Sequence, residues 1–159
     1  MLTVTFHIGR KLSCPVQKFK NLVRTVCGRF DLANAAVGVA IVDNKQIRKM
    51  NKTFLHRNTV TDCLSFDLSE NGGGRKWFEI VVNGERAALL AKRRGHTAQA
   101  EMALYITHGL LHNLGFNDRS ASQAKKMHLL EDEILQQQGF GPVYDGKNKI
   151  VPNKRRRKC

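Results

Sequence analysis

Two histidines four residues apart, followed by a glycine, constrain this chain more than any other feature of its sequence. In a helix, His108 and His112 lie on one face, about 40° apart at 3.6 residues per turn, so their imidazoles can converge on one cation. Gly115 lets the chain leave the helix through a left-handed turn, which can bring Asp118 over the same face as a third ligand. Two imidazoles, one carboxylate and an open position describe a catalytic zinc site rather than a structural one. The sequence therefore predicts a metal-assisted hydrolase.

The residue after the first histidine indicates which class of metal-dependent hydrolase the motif belongs to. Zincin proteases carry the motif H-E-x-x-H, in which the glutamate is the general base. This chain has the zincin spacing, but Gly109 stands at the place of that glutamate, and a glycine accepts no proton. Peptide hydrolysis at such a site would need a glutamate from elsewhere in the chain, such as Glu101 or Glu131.

Three segments of the sequence are similar to one known family. Residues 108–116 read H-G-L-L-H-N-L-G-F, which resembles the motif H-G-x-L-H-x-L-G-[F/Y] of the YbeY family of metal-dependent, single-strand-specific endoribonucleases. Residues 57–66 look like the family segment that ends in R-x-x-P-T-D-V-L-S-F. A third similarity is Met127 with Glu131 on the closing helix. Together these segments cover roughly residues 35 to 140.

The resemblance implies a fold, an activity and one further site residue. It implies an α/β domain that cleaves single-stranded RNA in ribosomal RNA processing and ribosome maturation, and it implies that Arg57 belongs to the active site. The chain departs from the family at Asp118, where a third histidine is usual, and at Val60 and Cys63, where proline and valine are usual. A carboxylate oxygen binds zinc at about 2.0–2.2 Å, but two histidines and one carboxylate also suit iron or manganese. Zinc is the expected cofactor, with the identity of the metal left open.

Each site residue has an ordinary structural alternative. His108 and His112 can be a surface pair, Asp118 can cap the following helix alone or with Ser120, and Arg57 can be a solvated loop charge. Two other functions are also open. One is a non-catalytic ribosome-assembly factor that binds ribosomal RNA through its charge, and the other, less favoured, is a zincin-like metallopeptidase.

The charge of the chain points to a polyanionic partner. The 27 lysines and arginines against 13 acidic residues give a net charge of +14, which favours nucleic acid. We expect RNA, specifically ribosomal RNA precursors and the ribosomal subunit. Residues 141–159 are predicted to be a disordered arm rather than a helix, or else a solubilising tail. The residues of this arm expected to bind RNA phosphates are Lys154, Arg155, Arg156, Arg157 and Lys158.

Hydrophobic periodicity predicts about four strands and about five helices over residues 1–140. These elements agree with the single α/β domain with a mixed sheet that the resemblance implies. Strands are predicted at residues 3–8, 35–42, 63–68 and 78–82. One helix is predicted to contain Val16 to Val26, and another to span residues 85–94. Three further helices are predicted to begin after the caps Asp43, Thr97 and Ser120. The metal site is then placed at the end of the central helix that Thr97 begins.

The same sequence favours a cytoplasmic protein. No apolar run approaches the roughly 20 residues of a membrane span, and the N-terminus lacks the long apolar stretch of a signal peptide. The four cysteines are scattered without a C-x-x-C pair, which favours reduced thiols over a disulfide framework. We expect neither a membrane partner nor a nucleotide cofactor.

Overall fold

The computed structural model of this chain describes residues 1–10 and 12–143, and in these it contains four strands and five helices. In chain order they are β1 (Leu2–Ile8), α1 (Val16–Arg29), β2 (Ala35–Val42), α2 (Asn44–Leu55), β3 (Cys63–Asp67), β4 (Lys76–Asn83), α3 (Gly84–Arg94), α4 (Ala98–Asn113) and α5 (Ala121–Gln137). The strands form one sheet in the order β1-β2-β4-β3. The pairs β1–β2 and β2–β4 are parallel, and β3–β4 is antiparallel. The predicted mixed α/β sheet is confirmed.

The sheet buries its two faces unequally. On one face, alternate residues of β2 and β4, among them Val39 and Ile80, pack with α1 and α4 in the main hydrophobic core. On the other face, Ile47 of α2 packs with Leu64 and Val81 in a smaller cluster. Because β2 is covered on both faces and paired along both edges, its sequence is apolar throughout, and the second half of β4 is buried in the same way.

Helix α4 is the central element of the main core. Almost every residue from Ala100 to Leu111 is buried, and the helix contacts α1, α3, α5, β3 and β4. A helix that is apolar around its whole circumference belongs inside a protein, which explains this position. Thr97 caps it as predicted, accepting the backbone N–H of Ala100. The histidines near its end are therefore held by a rigid, well-packed helix.

A fully buried asparagine joins the segments around the end of β4. The side-chain oxygen of Asn83 accepts the backbone N–H of Arg86 at 3.0 Å and caps α3. Its amide donates to the carbonyl oxygen of Thr61 at 3.1 Å and to the side-chain oxygen of Asn44 at 2.7 Å. One side chain thus satisfies partners from α2, α3 and the loop before β3.

We expect Asn83→Ala to lower the free energy of unfolding by about 2–4 kcal/mol, because it removes a helix cap and leaves the buried carbonyl of Thr61 without its donor. Thr97→Ala, which removes a single cap bond, is the matched comparison and should cost only about 1 kcal/mol. Urea unfolding of both variants measures the difference. Equal losses in the two variants would contradict the linking role of Asn83.

The chain remains packed up to the end of the described residues. Val143 is buried, and its backbone N–H donates to a carboxylate oxygen of Asp132 at 3.0 Å. The predicted RNA-binding residues of the arm lie outside the described residues; they are Lys154, Arg155, Arg156, Arg157 and Lys158. None of the described helices combines the length and the hydrophobicity needed to cross a bilayer.

The cysteines follow the sequence prediction in part. Cys14 and Cys27 are free. Cys63, at the start of β3, is disulfide-bonded, so the prediction of reduced thiols is wrong at this position. Spacing along the chain says nothing about which thiols meet in space, which is why the sequence could not reveal this pairing.

Candidate metal centre

The end of α4 makes the left-handed turn that the sequence predicts. Gly115, at φ +98°, follows the last residues of the helix and donates its N–H to the carbonyl of His112 at 3.0 Å. Phe116 then donates its N–H to the carbonyl of Leu111, also at 3.0 Å. This turn brings the carbonyl oxygen of Phe116 to 3.0 Å from Nδ1 of His112. The backbone itself therefore orients one of the two histidine rings.

The two histidines face each other through their Nε2 atoms, which lie 3.0 Å apart with the rings at 87° to each other. Nδ1 of His108 lies 2.6 Å from a carboxylate oxygen of Glu131, and Nδ1 of His112 faces the carbonyl of Phe116. A carbonyl and a carboxylate only accept, so each Nδ1 carries a proton, and in the neutral form of each ring Nε2 then carries a lone pair. Two lone pairs at this separation repel unless they share a cation. The pair therefore offers two nitrogen ligands to one metal ion.

Asp118 completes a set of three donors. Its Oδ1 lies 3.9 Å from Nε2 of His112, and one ligand atom from each of Asp118, His108 and His112 lies within 4.8 Å of the other two. The three side chains are only 12–19% exposed. Within residues 1–10 and 12–143, no other group of three such side chains meets this condition. Donor types and distances fit one divalent ion of the first transition row.

The alternative role of Asp118 as a helix cap is wrong. Helix α5 is capped by Ser120, whose hydroxyl accepts the backbone N–H of Gln123 at 3.2 Å. The side chain of Gln123 accepts the N–H of Ser120 in return, which completes a capping box. The carboxylate of Asp118 is thus left to face the histidine pair.

A buried carboxylate sets the electrostatics beside the site. Glu131 of α5 is fully buried and also accepts from His128, at 3.3 Å. Burial raises the pKa of Glu131, but hydrogen bonds from His108 and His128 outweigh burial and lower the pKa to about 2. Burial and the charge of His108 lower the pKa of His112, while Asp118 opposes this shift. An ionised carboxylate and a neutral imidazole are the states that metal ligation requires.

Arg57 is not brought into contact with the three donors. It follows His56, which ends α2 in the left-handed conformation, and its backbone N–H donates to the carbonyl of Asn51 at 3.2 Å. Its side chain is exposed, and within the described parts of the chain its guanidinium forms no hydrogen bond or ion pair. The guanidinium is therefore available to an anionic ligand. Its place in the active site stays a prediction.

Neither glutamate proposed for a zincin-like mechanism is free to act as a base on the metal side. Glu101 is fully buried and pairs with Arg94, at 2.6 Å, and with His96. Glu131 lies on the Nδ1 side of His108, away from the Nε2 atoms that converge. The geometry therefore favours neither Glu101 nor Glu131 as the general base of a metallopeptidase.

Packing explains why a glycine stands between the histidines. A Cβ atom at Gly109 would lie 3.0 Å from Cγ2 of Ile80 and 3.5 Å from Cβ of Ser65. Helix α4 approaches β3 and β4 closely at this point, so a glutamate at this position would have to enter the helix–sheet interface. The absence of the zincin base is therefore a consequence of how α4 packs.

We expect Gly109→Glu to lower the free energy of unfolding by about 3–5 kcal/mol, because the variant overpacks this interface and buries an unpaired carboxylate. Gln99→Glu, at an exposed position of the same helix, is the control and should change stability by less than about 0.5 kcal/mol. Urea unfolding measures both. A Gly109→Glu protein as stable as the unmodified chain would show that the interface has room for the side chain.

Two contributors to the site were not identified from sequence. One is the carbonyl of Phe116, a backbone atom that no side-chain motif reveals. The other is Glu131 as the partner of Nδ1 in His108. Glu131 has the helical spacing of the inward residues Met127 and Ile134, and a carboxylate on the apolar face of a helix is the signal that could have identified it.

Comparison with known proteins identifies one family over most of the chain. The family model described as Endoribonuclease YbeY matches residues 8–139. The chain is 32% identical to Endoribonuclease YbeY of Aquifex aeolicus over 122 residues, covering 76% of this chain and 79% of that protein. It is 28% identical to the Bacillus licheniformis protein of the same name over 151 residues, covering 88% and 96%. A Myxococcus xanthus relative is 33% identical over 116 residues, but the match covers 40% of its length.

A solved structure shares the fold. The solution structure of a Thermotoga maritima protein superimposes with a TM-score of 0.59, covering 95% of this chain and all of the other, at 22% sequence identity. At this identity the likeness concerns the architecture of the domain.

Proposed function

Because this chain belongs to the YbeY family of endoribonucleases, we propose that it is a metal-dependent enzyme that cleaves single-stranded RNA in the processing of ribosomal RNA precursors. The observation that carries the proposal is the convergence of the two Nε2 atoms, 3.0 Å apart, beside the carboxylate of Asp118. Two nitrogens and one oxygen leave a coordination position open, which is the pattern of a catalytic rather than a structural site.

In this proposal His108, His112 and Asp118 hold the metal, and zinc suits the donor set best. Such an ion acts as a Lewis acid toward a phosphoryl oxygen and lowers the pKa of a coordinated water. Glu131 and the carbonyl of Phe116 keep the protons of both rings on Nδ1, so that both Nε2 atoms stay available. The low exposure of the three side chains restricts the access of bulk water to the site.

Arg57 provides a positive charge that binds the phosphate of the substrate. An exposed guanidinium that pairs with none of the described residues can bind a phosphate through two parallel hydrogen bonds. In the proposed reaction Arg57 seats the phosphate and stabilises the negative charge that develops on its oxygens. We also propose a cytoplasmic location and additional phosphate contacts from the arm that contains Lys154, Arg155, Arg156, Arg157 and Lys158.

The net charge of +14 is also compatible with a second function, that of an assembly factor that binds RNA without cleaving it. The open coordination position favours the enzyme, since a metal retained only for stability needs no such position. Cleavage and binding of RNA by His112→Ala separate the two functions. An enzyme loses cleavage and keeps binding, whereas an assembly factor has no cleavage to lose.

We expect purified protein to bind about one equivalent of zinc, and His112→Ala to abolish this binding because it removes one of the two converging nitrogens. Asp118→Ala should weaken zinc binding at least about 10-fold, while Asp118→His should preserve it, since imidazole is also a good zinc ligand. Competition with a chelator measures the affinities. His7→Ala, at an exposed histidine of β1, is the control. An unchanged affinity in Asp118→Ala would remove Asp118 from the ligand set.

We expect Arg57→Ala to lower kcat/KM for RNA cleavage by about 10²- to 10³-fold, the usual cost of losing one group that stabilises developing charge. Zinc content should not change, because Arg57 contacts none of the three donors. Arg57→Lys should recover part of the loss, since it keeps the charge without the paired donors. Arg24→Ala, at an exposed arginine of α1, controls for net charge. Equal activities of the Arg57 and Arg24 variants would make Arg57 an ordinary loop residue.

A further inference from the structure

We propose that the exposed side of α2 binds the backbone of the single-stranded RNA substrate and leads it toward the metal centre, an inference that rests on the proposed function. Four exposed cations, Lys45, Arg48, Lys49 and Lys52, form this surface, called here the α2 basic face. Spacings of three, four and seven residues place them on one side of the helix. Ile47, which is buried against the sheet, lies on the opposite side.

Among the described residues, no carboxylate forms an ion pair with the α2 basic face. Helix α2 contains no acidic residue, and within the described parts of the chain no ion pair involves any of the four cations. Two carboxylates near the start of the helix already accept backbone N–H groups: Asp43 binds Gln46, and Glu85 binds Asn44. Like charges four residues apart repel and weaken a helix. A polyanion along this side would relieve the repulsion.

The α2 basic face is continuous with the loop that carries Arg57. Nε of Arg48 donates to the side-chain oxygen of Asn58 at 2.9 Å, which ties the middle of the face to the residue after Arg57. A phosphate backbone bound along α2 would therefore reach the predicted catalytic arginine without leaving the positively charged surface. This continuity favours the RNA substrate over an unrelated acidic partner.

An exposed aromatic ring at the end of α2 contacts β3, the strand that is hydrogen-bonded to the end of the metal helix. Phe54, at the end of α2, is 59% exposed and packs edge-on against Phe66 of β3, with the ring centroids 5.6 Å apart. The carbonyl oxygen of Phe66 accepts the side-chain amide of Asn113 at 3.4 Å, and Asn113 directly follows His112. Cations for the backbone and an aromatic face for a base are what single-stranded nucleic acid requires. Phe54 is thus the expected stacking site for one unpaired base.

The test compares two triple variants that each remove three positive charges. Lys45→Gln, Lys49→Gln and Lys52→Gln neutralise the α2 basic face but keep Arg48, whose bond to Asn58 holds the neighbouring loop. Glutamine is a good helix former, so α2 should remain folded. The control carries Arg24→Gln, Lys92→Gln and Arg93→Gln, at exposed cations of α1 and α3. The zinc-loaded full chain cleaves a short single-stranded oligoribonucleotide over a range of salt concentrations, and zinc content is measured in parallel.

We expect the α2 variant to raise KM about 10-fold at moderate salt, with kcat and zinc content unchanged. Each phosphate contact on a single strand contributes about 0.7 to the magnitude of the slope of log(kcat/KM) against log salt concentration. The magnitude of this slope should therefore decrease by about 1–2 in the α2 variant and by less than about 0.5 in the control. Phe54→Ala should raise KM about 5- to 10-fold without changing the salt slope.

Equal effects of the two triple variants would overturn the inference, since the charge would then act only through its total. An α2 variant indistinguishable from the unmodified protein would also overturn it and would leave the face to another partner, such as an acidic protein. In both cases RNA cleavage by the unmodified chain would still support the proposed function. Failure of the unmodified chain to cleave RNA would reject the proposed function instead.

Discussion

The hydrogen bond between Glu131 and His108 is the interaction on which the rest of the site depends. An imidazole has two nitrogens, and the ring can coordinate a metal only through the one that carries no proton. Glu131 is buried and ionised, so it fixes the proton of His108 on Nδ1 and turns Nε2 toward His112. It also adds a second negative charge to that of Asp118. Together the two carboxylates would match the charge of a divalent ion at this candidate site.

The position of the site follows from the packing of α4. This helix is surrounded by three other helices and the sheet, so the histidines near its end have little freedom to move. The same close packing leaves little room for a side chain at Gly109, which lies against Ile80. A larger residue in the position of the zincin base would have to displace this neighbour. The close packing of α4 therefore both supports the histidines and disfavours a glutamate in the place of Gly109.

Much of this structure could be predicted from the sequence, because the signals are local. Apolar periodicity gave four strands and five helices, and the caps Asp43, Thr97 and Ser120 lie where predicted. The spacing of the histidines and the turn at Gly115 led to the three candidate ligands. Three features could not be predicted, because they depend on contacts between residues that are distant in sequence, which no local pattern specifies. They are the strand order, the disulfide bonding of Cys63 and the contact between Glu131 and His108. The sequence allowed two roles for Asp118, and the capping of α5 by Ser120 excludes the role of helix cap, while its role as a metal ligand stays a prediction.

The two histidines differ in what holds them, and this gives the site an uneven tolerance to mutation. His108 depends on a side chain, so any substitution of Glu131 that removes its acceptor releases the ring. His112 depends on the carbonyl of Phe116, which every amino acid possesses, so the support survives a change of side chain at that position. Its weak point is Gly115, whose φ of +98° is costly for residues with a Cβ atom. A mutation that disturbs the support of His108 therefore acts through the side chain of Glu131. A mutation that disturbs the support of His112 acts through the backbone conformation at Gly115.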